Sequence, residues 1–229
     1  MSTLFWNEPQ ITILASTSLD ASPNPIFAQW TTNDSGEQAA VDILPEVGGR
    51  VCYDSFGKGR KSNKEYLGNI IDRGHLSVIE HSSVTFGLRG ISRACSHEIV
   101  RHRHLSFSQR SQRYCTEISF VMHPALPPEQ AVYFRAAMVR VKHDYEMLLG
   151  QGSKEAARMI LPNATATEMV ITGNMRAWRE FVQKRAILAA DPEIRQVAFR
   201  IGKALKELAP NTFQDMIFEP DNCIKFLPS

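Results

Sequence analysis

Apolar positions along the chain switch between a period near two and a period near 3.6, and each switch marks a candidate element. Residues 11–15 form a short β-rich run, a candidate first strand, followed by two turn signals, Ser22-Pro23-Asn24-Pro25 and Asn33-Asp34-Ser35-Gly36. From Ala39 to Tyr53 apolar residues recur at helical spacing, with a break expected at Pro45 and Gly48-Gly49. Ser62 or Asn63 caps a second helix that ends at Gly74 and turns Tyr66, Ile70 and Ile71 inward. Residues 83–88 alternate, with Val84, Phe86 and Leu88 on one side, as in a half-buried strand. Ser92 then caps a helix from Arg93 to His102 whose apolar side carries Ala94, Cys95, Ile99 and Val100.

A polar loop is expected after that helix, and residues 118–122 form another candidate strand. Pro127-Pro128 opens a long helix to Leu149, with Ala131, Phe134, Met138, Val141, Tyr145 and Leu148 near one face. Gly150 to Gly152 interrupts it, and a short helix containing Arg158 runs up to Pro162. Residues 169–172 are β-like, 176–189 helical, and Pro192 begins a helix to Leu208 that Pro210 stops. Strands and helices mix without a regular βαβ rhythm, so the pattern predicts α+β layers rather than a doubly wound sheet.

Composition narrows the class. Hydrophobic residues make up 43% and charged residues 22% of the 229 positions, a globular balance that can bury roughly 70% of the unfolded surface. A formal charge of +2 disfavours a surface that tracks nucleic acid throughout, but leaves room for a local anion site. Cys52, Cys95, Cys115 and Cys223 lack metal-ligand spacing and read as reduced, partly buried thiols. With no basic leader and no long apolar run, the expectation is a cytoplasmic protein without a membrane span or a metal site.

Against that balance one stretch stands out. RHRHLSFSQRSQRYC, from Arg101 to Cys115, holds four arginines, two histidines and three serines, and no acid lies between Glu98 and Glu117. Arginine forks suit phosphates and imide edges, because paired N–H bonds fix orientation as well as charge. A solvated basic loop complementing a helix C-terminus explains the same composition. Phe107 and Tyr114 offer stacking surfaces, yet no established nucleic-acid signature accompanies them. Spacing alone leaves these readings open.

The full string is more specific. Arg101-His102-Arg103, seven residues and then Ser111 resembles the RHRx7S signature of the flavin-dependent thymidylate synthases, and Gln112-Arg113-Tyr114 continues the match. Gly74-His75-Leu76-Ser77-Val78-Ile79-Glu80-His81 resembles that family's GHxSxxEH segment. Ala157-Arg158-Met159-Ile160-Leu161-Pro162-Asn163 is similar to ARxxLPN. Thr172-Gly173-Asn174-Met175-Arg176-Ala177-Trp178, with Arg185 beyond it, is similar to TGNxRAW…R. The resemblance spans roughly residues 40 to 215.

It implies one domain over residues 1–229, an α+β subunit with a mixed or antiparallel sheet and flanking helices, assembled as a homotetramer with sites between subunits. It implies FAD-dependent reductive methylation of dUMP to dTMP, with 5,10-methylenetetrahydrofolate as carbon donor and NADPH as reductant. Small molecules would then be the ligands, with no nucleic acid or membrane partner. By the same resemblance, FAD would meet Ser77, Arg101, His102, Arg103, Gln109, Asn174, Met175, Arg176 and Glu180. The nucleotide would meet Glu98, Arg101, Ser111, Gln112, Arg113, Arg158 and Arg185, with Arg185 polarising the uracil edge as the catalytic residue. No cysteine nucleophile is required, so Cys115 reads as a packed thiol. His75 reads equally as a substrate-side or a structural histidine. Two positions depart from the family pattern: Ala189, where many members carry a flavin-contacting histidine, and Glu180, where relatives often carry Asn or His. The alternatives are a nucleotide- or RNA-binding module on the same fold and a different flavin reductase or methyltransferase.

Overall fold

Strand β3 (Ser83–Ser92) organises the structure, a computed structural model that describes residues 3–19, 40–59 and 62–227. Both turn signals at 22–25 and 33–36 lie outside the described residues. β3 is flanked antiparallel by β2 (Gln10–Ser16) and β6 (Ala166–Asn174), and β4 (Ser106–Gln109) pairs antiparallel with the far side of β6. The order is therefore β2-β3-β6-β4. Among the described residues, parallel pairing is confined to a short ribbon of β1 (Phe5–Trp6) with β5 (Phe120–Val121). These strands and the helices below form the expected α+β architecture.

The period-two pattern dictates the core. Val84, Phe86 and Leu88 of β3 and Met169 and Ile171 of β6 are buried on one face, beneath helices α6 (Met175–Arg185) and α7 (Pro192–Leu208). Trp178 meets Phe86 and Phe181 edge-on at 5.0 and 5.9 Å, and its indole N–H donates to the Val84 carbonyl at 3.0 Å. One continuous apolar cluster runs from Val41 to Ile224. The opposite face of the sheet carries Leu14 and Val170, both exposed.

Helix α1 (Ala40–Tyr53) corrects one expectation, because it continues through Pro45 and both glycines. Packing overrides propensity here. A Cβ at Gly48 would sit 2.7 Å from His81, and one at Gly49 would sit 2.5 Å from the Tyr66 hydroxyl, so these glycines admit close neighbours rather than end the helix. Buried polar groups also hold α1 in place. Asp42 accepts from Thr212 Oγ1 at 2.5 Å and from the backbone N–H groups of Asn211 and Thr212. Glu46 accepts from Asn63 and Arg50.

Helix α2 (Asn63–Asp72) is capped by Ser62, whose hydroxyl accepts from Glu65 N–H, and Gly74 follows its end at φ +70°. Leu76–His81 forms a 3-10 turn. Helix α3 (Arg93–Ile99) ends earlier than predicted, and its inner face holds Ser96, whereas Ala94 and Val100 face outward. Ser96 is satisfied there by donating to the Arg93 carbonyl and accepting from Gln109. The polar loop expected after it contains β4 instead, because Phe107 alternates with serines and pairs with Ile171.

Helix α4 (Pro128–Gln151) buries only Met138 and Tyr145 of its predicted inner row, and leaves Val132 and Tyr133 more than 70% exposed. Helix α5 (Lys154–Ala157) leads into a 3-10 turn, Arg158–Ile160. The helix predicted to reach residue 189 stops at Arg185, and a hairpin of β7 (Met216–Glu219) and β8 (Cys223–Phe226) closes the fold. No described helix is long and apolar enough to cross a membrane.

Candidate active site

Two short helices carry the site, and each is started by a side-chain cap. Asn174 accepts from Ala177 N–H at 2.8 Å to begin α6, and Ser92 accepts from Cys95 N–H at 3.0 Å to begin α3. Ser92 is itself gripped by buried Glu193, which accepts from its N–H at 2.7 Å and from its hydroxyl at 2.6 Å. Burial raises the Glu193 carboxyl above the usual range, and the two Ser92 bonds oppose that rise.

The far ends of α3 and α6 meet at Arg185. Its Nη1 donates to Glu98 Oε2 at 2.7 Å, Nη2 to the Glu98 carbonyl at 3.4 Å, and Nε to His102 Nε2 at 3.0 Å. His102 also stands edge-on to Phe181, with ring centroids 4.9 Å apart. Burial first, then the charges of Arg185 and Lys184, push its pKa down to about 4, so the ring is neutral at physiological pH. The junction opens onto a cleft of about 350 Å³ lined by Arg101, His102, Arg103, His104, Ala177, Glu180 and others of the same two segments.

Glu180 would be unfavourable beside an anion if uncompensated, but it forms an ion pair with Lys184, which keeps its carboxyl low. Arg101 and Arg103 are exposed and have no carboxylate partner among the described residues. Arg176, exposed on the first turn of α6, donates to Glu80 at 2.6 Å, which draws it to the 3-10 turn bearing exposed Ser77. Gln109 directs its amide at Ser96 and Thr167. The Met175 side chain lies entirely in the core, with its N–H donated to Ser82, so it supports α6 and presents no side-chain surface to a ligand. His75 is exposed, Ala189 is exposed, and Cys115 is partly buried.

A second group gathers at the opposite end of α3. Ser111 turns the chain by accepting from Arg113 N–H through its hydroxyl, and from Cys115 N–H through its carbonyl. Arg113 donates to Glu155 at 3.2 Å, and Lys154 donates to the Tyr114 carbonyl, which binds this turn to α5. Arg158 follows directly, and Gln112 is half-buried in the same turn. Half-buried Arg93, missed by the sequence reading, has its pKa lowered by burial and by neighbouring Arg158. Neither Arg93 nor Arg158 pairs with a carboxylate among the described residues. Two neighbouring cations, with Arg113 already bound to Glu155, the carboxylate near Arg158, suit a multiply charged anion. The one available signal for Arg93 was its place on the first turn of the helix leading to Arg101.

Lys184 was also missed; an i,i+4 partner for Glu180 was its signal. None of the cleft residues at Arg185 belongs to the Ser111–Arg158 group, so the described residues present two separate groups of donors. Another cleft, about 300 Å³ beside Trp6, already has its arginines engaged, Arg89 and Arg110 with Glu168.

Comparison with known proteins gives a consistent result. The family model described as "Thymidylate synthase complementing protein" matches residues 40–211. A flavin-dependent thymidylate synthase of Mycolicibacterium gilvum is 40% identical across 90% of this chain and 89% of its own length. Those of Mycobacteroides abscessus and Mycobacterium tuberculosis are 40% and 38% identical over the same shares.

Proposed function

The chain belongs to the family of flavin-dependent thymidylate synthases, and from that premise we propose that it reductively methylates dUMP to dTMP, using FAD, NADPH and 5,10-methylenetetrahydrofolate. The observation that carries this reading is Arg185, held between Glu98 and His102 at the mouth of a basic cleft. Of the five N–H donors of a guanidinium, three are used by these partners, so two remain for a ligand. A uracil edge offers matching oxygens. Donors already oriented there stabilise negative charge that develops on the ring only as the reaction proceeds, which lowers the barrier rather than merely tightening binding.

The cleft residues suit a flavin dinucleotide. Arg101, Arg103 and His104 supply donors for a diphosphate, His102 supplies a neutral ring nitrogen, and Ser77 and Arg176 extend the polar surface along α6. When bound, the flavin supplies the hydride chemistry. The nucleotide phosphate finds its donors in Arg93, Arg158, Ser111, Gln112 and Arg113, each charge-assisted bond contributing about 1.5–3 kcal/mol.

Because these donors and the Arg185 cleft are separate groups among the described residues, we read the working enzyme as a homotetramer in which neighbouring subunits complete each site. The exposed apolar residues of α4 and of the outer sheet face supply area for such contacts. Purified protein is expected to be yellow, or to become so with FAD, and to oxidise NADPH in response to dUMP. A colourless protein that FAD does not reconstitute overturns the reading. Sedimentation at four times the 25.8 kDa chain mass tests the assembly.

A further inference from the structure

We propose that Arg185 also acts as a positioning residue, its Nε–H fixing the His102 ring in the form protonated at Nδ1, so that the two side chains act as one unit. The argument begins from donor chemistry. An arginine N–H only donates, and 3.0 Å is hydrogen-bond distance, so His102 Nε2 is the acceptor and carries a lone pair. A neutral imidazole holds one proton, which therefore sits on Nδ1. An imidazolium would forfeit the bond, since a protonated Nε2 would then point its N–H at a guanidinium.

The surroundings favour the same state. From α6 the ring faces Arg185, Lys184, Glu180 and the apolar edge of Phe181; from its own loop it is near Arg101, Arg103 and His104; Glu98 of α3 is bound to Arg185. Glu180 favours a charged ring, but its ion pair with Lys184 weakens that pull. Burial first and then the cations prevail, and the lowered pKa agrees.

Nδ1 makes no hydrogen bond to another described residue, and His102 lines the cleft. Its N–H is thus available to an acceptor oxygen or nitrogen of a cleft ligand. A substrate that draws Arg185 away removes the constraint on Nε2, so occupancy of one subsite alters the donor pattern of the other. Naming that acceptor as flavin rests on the functional reading above; the ring state does not.

The test uses the full-length chain without ligands, labelled with ¹⁵N-histidine, with His102 signals identified by their loss in His102→Gln. Long-range ¹H–¹⁵N spectra of the wild type should show Nδ1 protonated and Nε2 bare, down to about pH 5. In Arg185→Ala that preference is expected to disappear, and the midpoint to move from about 4 toward the ordinary value of about 6.5. Should Arg185→Ala lose its fold by near-UV circular dichroism, Arg185→Met serves, removing the donor and the charge while keeping the bulk of the side chain and moving the midpoint the same way. A wild-type ring protonated at Nε2, or a midpoint indifferent to these substitutions, overturns the proposal. An FAD titration followed by flavin fluorescence judges the flavin reading separately. The expected ring state with no FAD binding overturns the flavin reading alone, and FAD binding to a protein with Nε2 protonated overturns the ring proposal alone.

Discussion

Two of the three arginines of helix α6 have opposite fates. Arg179 points inward, 5% exposed, with both terminal nitrogens on the Asp215 carboxylate and its guanidinium 4.5 Å from the centre of the Phe226 ring. Arg185, two turns on, grips Glu98 and His102 at the rim of a cleft, with donors to spare. Each has a carboxylate partner, yet the first closes a fold and the second holds a site open. Burial, rather than the presence of a partner, separates the arginine sealed in the core from the one that lines a cleft. A buried pair holds two desolvated charges that depend on each other; a half-exposed pair leaves one ion able to exchange partners.

The sharpest way to break this comparison is Arg185→Ala. Turnover is expected to fall by about 10²–10³-fold or more, the cost of removing a donor aimed at developing charge, while the fold persists. Steady-state NADPH oxidation with dUMP checks the first, and thermal unfolding the second. Unchanged turnover removes Arg185 from the reaction.

Arg179→Ala should do the reverse, costing about 3–5 kcal/mol of stability by stranding Asp215, with activity per folded molecule retained. Urea titration measures it, and the double change Arg179→Met with Asp215→Leu should recover most of the loss. Arg93→Ala should raise the KM for dUMP about tenfold or more with kcat less affected, because it removes one cation from a subsite that still has Arg158.

The smallest effect concerns pH. The folded-state pKa of His102 lies below its ordinary value, so between about 6.5 and 4 the unfolded chain binds more protons there, and this contribution to stability is lost as pH falls. Asp42 and Glu193, raised by burial, act in the opposite sense. The difference between wild type and His102→Asn isolates the histidine. That difference should shrink on acidification across this window, and a constant difference refutes the assignment.

How much of this was legible in the chain depended on locality. Helix caps at Ser62, Ser92 and Asn174 act over three residues; Ser62 and Ser92 were readable as caps, and Pro192 as a helix start. Strand β4 was obscured because its polar residues imitate a basic loop, and only pairing with β6 reveals the alternation around Phe107. The C-terminal hairpin was overlooked although Asp221 and Asn222, both at φ +59°, are residues that tolerate a left-handed turn. Motif strings singled out Arg185, Arg158 and the RHR segment, but gave no sign that Asn174 caps a helix or that Met175 sits wholly in the core. Nothing local distinguishes Arg179 from Arg185, because their partners lie 36 and 87 residues away.

The grip of Glu193 on Ser92 reaches across 101 residues. Helix α3, which bears both Arg93 and Glu98, is therefore tethered by a residue that the ribosome adds only after α6. Arg185 and Glu98 are themselves separated by 87 residues. Nascent chains that stop before α7 possess every residue of the RHR segment and Arg185 as well, but lack the Glu193 carboxylate that anchors the start of α3. A product truncated there keeps the signature and its arginine clasp, while helix α3 has lost its anchor.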